Sequence, residues 1–460
     1  MKTRSVAVVG TAAAVAALGA AAVATAQDGR AKTAAPVAAP AAAAKRPPAQ
    51  PGDFDGDGRP DIAASSFQGR IHNKPQGGFI TVVPSRKAGL DVAGRQFVSA
   101  NGLGLTIPRE FGGSTDSADF DRDGYADLVI SAYEGARGAI VIAHGGPKGV
   151  TARKTVLKAP NGKGFVAGDF NGNGWPDLVV TVGRNSYLTF LDVRNRPVAG
   201  VRTTVKTSGE LYSPVAGDVN GDRRTDLVLM TSRDDGDDLM PDRGLVRFGT
   251  AKGLGATKVF ATGAKGVAQT SATGDVNGDG RADLVNVNPF NRRQLTVRPG
   301  TKTGLGALRV VTLGKQEFGD AVAVRDVNGD GKADVAVGLP ETAVGGQHAA
   351  GRIAVLYGGK AGLTAKGART FDKNTPGVPG TARKNDQLGA DLALTDLNGD
   401  RLADLVVGAP NDSSGRTAEG RVFVLWGARG GIGVKGITTF GTKELGVQGR
   451  NARLGGILLH

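Results

Sequence analysis

Cysteine is absent from all 460 residues. That excludes disulfides, thiol-held metals and anchoring through a lipidated cysteine, so the chain needs another staple. Histidine is scarce as well, and His72, His144, His348 and His460 stand far apart with no zinc-ligand spacing. Aromatic residues make up only 5% of the chain while glycine contributes 73 residues, a balance expected of short strands joined by many tight turns. There is no GxSxG, no HExxH and no glycine-rich phosphate loop opening a helix, so the sequence is read as non-catalytic. A polysaccharide lyase or hydrolase using two stray carboxylates stays open as an alternative, as does a structural envelope protein. No helix-turn-helix, zinc finger or aromatic-basic platform is present, which argues against nucleic acid.

What the chain has in abundance is one acidic phrase, written seven times. The copies are DFDGDGRPD from Asp53, DFDRDGYAD from Asp119, DFNGNGWPD from Asp169, DVNGDRRTD from Asp218, DVNGDGRAD from Asp275, DVNGDGKAD from Asp326 and DLNGDRLAD from Asp396. Each places Asp or Asn at positions 1, 3 and 5 and Asp at position 9. The candidate ligands are Asp53, Asp55, Asp57 and Asp61; Asp119, Asp121, Asp123 and Asp127; Asp169, Asn171, Asn173 and Asp177; and Asp218, Asn220, Asp222 and Asp226. The last three loops offer Asp275, Asn277, Asp279 and Asp283; Asp326, Asn328, Asp330 and Asp334; and Asp396, Asn398, Asp400 and Asp404. Side-chain oxygens at this spacing, with a sharp turn at position 6 and a backbone carbonyl at position 7, suit calcium, up to seven ions in all. Extracellular sites of this kind hold calcium at about 10⁻⁴ to 10⁻³ M. Copies 49 to 70 residues apart signal a propeller or solenoid.

The ends read differently. Lys2 and Arg4, the apolar run Val6 to Val23 and Ala24-Thr25-Ala26 form the pattern of a signal peptide, residues 1–26. Residues 27–52 are rich in Ala and Pro and read as a disordered linker. Residues 53–460 then form the folded part, about 58 residues for each of seven units, which suits a four-stranded blade. The expected setting is secreted or wall-associated, with no membrane span left after cleavage and with the mature chain a monomer.

One unit shows the grammar. FGDAVAV (318–324) precedes the loop at Asp326, ADVAVGLP (333–340) follows it, GRIAVLYGG (351–359) is a third strand, and a fourth lies near 368–371. The next unit repeats this as LGADLAL, DLVVGAP, GRVFVLWG and GITTF. The fold expected is all-β: a seven-bladed β-propeller of four-stranded antiparallel blades. Phe111-Gly112 and Phe318-Gly319, with Gly408-Ala409-Pro410, spell out an FG-GAP repeat. From Asp53 to His460 the chain resembles the propeller of integrin α-subunits and the secreted bacterial FG-GAP/VCBS repeat proteins. The resemblance implies a propeller whose ligand face is the one opposite the acidic loops.

In later units a Leu-Gly or Phe-Gly pair stands seven residues before the loop, as with Gly319 and Gly389, yet the first unit lacks that strand. LGGILLH (454–460) supplies it, so the C-terminal strand is expected to close the ring in the blade whose loop starts at Asp53. Carboxylate count ranks the loops at Asp53 and Asp119 first, whereas Arg223 and Arg401 at position 6 mark the loops at Asp218 and Asp396 as weakest. Loop acids account for 22 of the 43 Asp and Glu residues, leaving 21 anions against 55 cations outside the leader. Such a surface attracts an extracellular anionic polymer or glycan, with a protein partner as the alternative. The longer connections fall on the face opposite the acidic loops, where Arg70, His72, Lys74, Lys373, Arg383, Lys384 and Arg416 are the candidate contacts.

Overall fold

The computed structural model describes residues 46–66, 70–71, 74–75, 77–106, 110–133, 138–160, 162–194, 196–206, 210–234, 239–261, 270–287, 294–314, 318–319, 321–413 and 418–459. The leader (1–26), His72, Arg416, His460 and the side chains of Arg70 and Lys74 lie outside them. Seven four-stranded antiparallel sheets follow one another along the chain. In the second to seventh, the acidic loop joins the innermost strand to the second, for example Val322–Arg325 to Asp334–Leu339 and Asp391–Thr395 to Asp404–Ala409. The second strands are apolar on both faces because both faces are covered: Asp177–Val182, Asp334–Leu339 and Asp404–Ala409 are buried throughout. Outer strands such as Val201–Thr204 are mostly exposed.

No single core exists. Apolar side chains instead gather in a cluster at each junction between neighbouring blades. The junction of the first and second blades holds Phe54, Ile80, Phe111 and Leu128, for example. Innermost strands surround a central cavity of about 330 Å³ lined by Asp116, Val166, Ala216, Ala272, Val324 and Leu394, one from each of the second to seventh blades.

The FG-GAP glycines have a physical reason. A Cβ on Gly408 would collide with the carbonyl of Gly455, and one on Gly338 with the carbonyl of Gly389. Neighbouring blades thus touch backbone to backbone at these points, which only glycine permits. Where the second strand carries a hydroxyl instead, it bonds across: Ser65 Oγ donates to the Gly112 carbonyl at 2.6 Å.

The ring closes as expected. Ile457–Leu458 pairs antiparallel with Ile62–Ser66, placing Ala64 opposite Leu458 and Ser65 opposite Ile457. Asp391 Oδ2 of the seventh blade accepts from the Leu458 N–H at 2.7 Å, and Thr115 Oγ1 of the second blade donates to the Leu458 carbonyl at 3.4 Å. The closing strand is therefore gripped from both neighbours. Residues 46–52, read in the sequence as the end of the linker, lie against the second blade, where the Ala49 N–H donates to Asp119 Oδ2 at 2.9 Å. One helical turn, Thr442–Leu445, is the only α-helix among the described residues, and no described helix is long and apolar enough to cross a membrane.

Removing residues 454–460 leaves the buried Leu454 and Leu458 out of the seventh-to-first junction and exposes the inner edge of Ile62–Ser66. Thermal unfolding of that truncated chain is expected to lose its cooperative transition or shift it down strongly; melting at the full-length temperature would refute the clasp.

Candidate metal centre

Each acidic loop is held by its own carboxylates. In all seven, the position-9 aspartate is buried and straddles two backbone donors. One oxygen accepts from the N–H of position 2, an apolar residue in every copy (Phe54, Phe120, Phe170, Val219, Val276, Val327 or Leu397), at 3.0–3.2 Å. The other accepts from the end of the third strand, at Ser85, Gly145, Asp192, Gly249, Gly300, Gly358 and Gly427, at 2.7–3.0 Å. Asp127, Asp177, Asp226, Asp283, Asp334 and Asp404 are thus straps between three strands as well as candidate ligands, and Asp61 ties its loop to the second and third strands of the first blade. The position-1 carboxylate accepts from the position-6 N–H in every loop, at 2.7–3.0 Å. Position 5 accepts from the N–H of position 7 in the same way. Such side-chain-to-backbone bonds shape a loop without outside help.

Position 6 has positive φ throughout, including Arg223 (67°) and Arg401 (71°), as expected. Position 4 does too, and the sequence reading missed it, although six of the seven copies carry glycine there. The exception is Arg122, at φ 54° in a loop ranked among the best on carboxylates alone.

Successive loops also interlock. The position-8 N–H donates to the position-1 carbonyl of the preceding loop, from Ala126, Thr225, Ala282, Ala333 and Ala403, at 2.8–3.2 Å. Pro60 and Pro176 occupy position 8 at the other two junctions and have no N–H to give. Position-7 side chains lean over position 4 of the loop before, so that Trp175 lies 5.1 Å from the Arg122 guanidinium and 4.5 Å from that of Arg194.

Burial raises the acids. Asp61 is pushed up to about 8 and Asp404 to about 7, by burial first, with neighbouring loop carboxylates adding to it against the backbone N–H donors. Asp53, Asp177, Asp226, Asp283 and Asp334 are pushed to about 6 for the same reason. Asp119, Asp123 and Asp127 are raised too, again by burial. A cation would remove this cost. Oxygens of Asp53, Asp55 and Asp57 lie within 4.8 Å of one another, as do those of Asp119, Asp121 and Asp123, so these residues fit a hard cation such as calcium. The same two loops hold arginines: Arg86 reaches Asp55 at 2.8 Å and Asp57 at 3.2 Å, and Arg153 reaches Asp121 at 2.8 Å and Asp123 at 3.1 Å.

One expected contact residue is misassigned. Lys373 is 4% exposed, and its Nζ donates to Asp386 Oδ2 at 2.8 Å and Asp412 Oδ2 at 3.1 Å. A lysine inside two carboxylates is a strut of the long-loop face rather than a contact. Arg383 and Lys384 are exposed beside it, with Arg383 Nη1 donating to the Ser413 carbonyl.

Two outcomes follow from this geometry. A Cβ on Gly56 (position 4, φ +70°) would lie 2.7 Å from the Gly124 carbonyl of the next loop, whereas one on Gly58 (position 6, φ +89°) meets nothing within 4 Å. Gly58→Ala should therefore cost about 1 kcal/mol of backbone strain, and Gly56→Ala clearly more by chemical denaturation; equal losses would deny the interlock. The second concerns pH. These acids are raised in the folded state, so the protonated forms stabilise the metal-free fold, fully below about pH 4 and less as pH rises through the folded values. Chelator-treated protein should lose stability as pH rises from 6 to 8, the range those acids span. Millimolar calcium should flatten or reverse that slope, because ligand deprotonation accompanies metal uptake. A chelated midpoint that climbs across this range would contradict the assignment.

Comparison with known proteins agrees with the geometry. Residues 388–425 match the FG-GAP repeat, and residues 110–180 and 252–337 match the FG-GAP-like repeat. Phosphatidylinositol-glycan-specific phospholipase D of Rattus norvegicus is 37% identical over 115 residues, 25% of this chain and 14% of that protein. Integrin alpha-5 of Xenopus laevis is 30% identical over 182 residues, 35% of this chain and 17% of the relative. Human integrin alpha-IIb is 32% identical over 155 residues, 30% of this chain and 14% of the relative. The shared stretch therefore spans less than a fifth of each of these relatives. With its seven blades and their repeated glycines, the chain is an integrin-like β-propeller built of FG-GAP repeats.

Proposed function

We propose that this chain is an exported, calcium-stabilised binding module for an extracellular anionic polymer or glycan. The observation that carries the reading is a pairing: in five of the seven loops a loop carboxylate meets a cation. Arg59 reaches Asp57 at 3.1 Å, Arg281 reaches Asp279 at 2.8 Å, Lys332 reaches Asp330 at 3.5 Å and Arg224 reaches Asp222 at 3.9 Å, beside the Arg86 and Arg153 pairs. Calcium taken up by the loops would engage those carboxylates and leave the arginines and lysine facing solvent as a basic collar, with the Tyr125 and Trp175 rings among them. The surplus of cations over anions outside the loops supports the same partner class. The signal-peptide pattern supports an exported setting. On this reading the collar joins Arg383 and Lys384 of the opposite face as candidate contact surface.

The test is co-sedimentation of the protein with insoluble anionic wall polymer, in millimolar calcium or chelator and across a salt series. Pelleting is expected only with calcium, weakening with salt. It should fall several-fold in the triple variant Arg59→Gln, Arg281→Gln, Lys332→Gln. Absence of pelleting under every condition would discard the polymer and turn attention to a protein partner.

A further inference from the structure

The second blade differs from the others at one position. The residue just before the amide that each position-9 aspartate accepts is Pro84, His144, Leu191, Phe248, Pro299, Tyr357 or Trp426. Among these, only histidine offers a nitrogen lone pair to a metal. His144 is 1% exposed at its side chain, and its Nδ1 lies 3.1 Å from Asp127 Oδ1 and 3.7 Å from Asp121 Oδ2. Ligand atoms of Asp121, Asp127 and His144 all fall within 4.8 Å of one another. A separate observation points to a missing ligand. The Asp121 side chain is only 7% exposed, yet its Oδ1 is buried with no hydrogen-bond donor. A buried carboxylate oxygen without a partner is costly unless something positive meets it.

We propose that the second loop, unlike the other six, is a mixed nitrogen and oxygen site for a borderline divalent transition-metal ion of the zinc or cobalt class, held by His144, Asp121 and Asp127. The inference rests on the reading that these loops take cations, and assigns one of them a different cation. Calcium takes oxygen donors, while imidazole favours zinc, cobalt, nickel and copper. The far side of the ring is prepared for the role. His144 Nδ1 is hydrogen-bonded to Asp127 Oδ1 at 3.1 Å; the tautomer with its proton on Nε2, donated to Thr155 Oγ1 at 3.0 Å, would turn the Nδ1 lone pair to a metal, the kind of outer support metal-bound histidines have. Arg153 stands on the solvent side, 47% exposed, where it neutralises Asp121 Oδ2 and Asp123. A metal at this site would displace Arg153 from Asp121 Oδ2, and its exposed position gives it solvent to move into.

The experiment titrates the full-length, metal-stripped protein with Co²⁺ in millimolar calcium, following the visible absorption of the bound ion. One equivalent is expected to bind and to withstand the calcium. His144→Gln should weaken it at least tenfold while calcium uptake by the other loops is unchanged, and Thr155→Val should weaken it less. Displacement of cobalt by calcium in the wild type, or unchanged binding in His144→Gln, would overturn the proposal. X-ray absorption of the wild-type Zn²⁺ complex supplies a check that does not depend on any variant folding: imidazole scattering in the first shell is expected, and an all-oxygen shell overturns the idea. Uptake of one cobalt ion but no calcium would sustain this site and remove the calcium reading of the other loops. Failure to take up either metal would remove both.

Discussion

Everything in this propeller hangs on the buried aspartate at the ninth loop position. Its two oxygens accept from the start of the loop and from the end of the third strand, and its own backbone begins or adjoins the second strand. In the second to seventh blades, three of the four strands therefore share one carboxylate. An amide could not replace it, since a side chain with one acceptor oxygen leaves the second backbone donor unmet inside the protein. The same group carries the main electrostatic problem of the fold. Burial makes its charge expensive, and the remaining loop acids crowd it. Protonation, an arginine or a bound cation each relieves that cost, and the loops show the second remedy in place.

Because blades bury almost nothing by themselves, stability resides in the seams between them. Seven apolar clusters, the chain of loop-to-loop backbone bonds and the glycine contacts at Gly408 and Gly455 all cross from one blade to the next. The seams are uneven. Among the described residues, the fourth-to-fifth junction has four fully buried apolar side chains, Val219, Val228, Val246 and Leu284, whereas the sixth-to-seventh cluster includes Phe371, Phe423, Leu405 and many others. A closed ring spreads this difference, since no seam can part without straining its neighbours. That is why the two residues paired at Ile457–Leu458 matter beyond their length.

The fold was legible because its signals repeat. Seven acidic copies led to the blade count and the missing first strand to the C-terminal clasp, and the seven sheets and the pairing of Ala64 with Leu458 bear these out. Position-6 strain was legible for the same reason at Arg223 and Arg401. Other features were visible in the letters but not understood without geometry. Glycine at position 4 reflects the crowding of one loop by the next, and an apolar residue at position 2 fills the seam below, relations between blades that no single repeat displays. Lys373 was unreadable in principle. Its partners Asp386 and Asp412 are 13 and 39 residues away, and only the folded long-loop face brings them together. His144 looked isolated by spacing, yet the sheet lays it beside Asp127 and Asp121.

Carboxylate count is only part of what would set a loop's hold on a cation. The first and second loops stand out by having aspartate rather than asparagine at position 3, and each has an arginine bonded to that very residue, Asp55 to Arg86 and Asp121 to Arg153. The extra charge has therefore been matched inside the protein. An incoming cation gains a stronger ligand but must displace a guanidinium that already satisfies it, so the two effects oppose each other. Loops with asparagine at position 3 attract less strongly and start with less to displace. If the loops take a hard cation, their net pull on it would therefore differ less than their formal charges suggest. What separates them is local: backbone strain at Arg122, Arg223 and Arg401, and the one imidazole that reaches into the second loop.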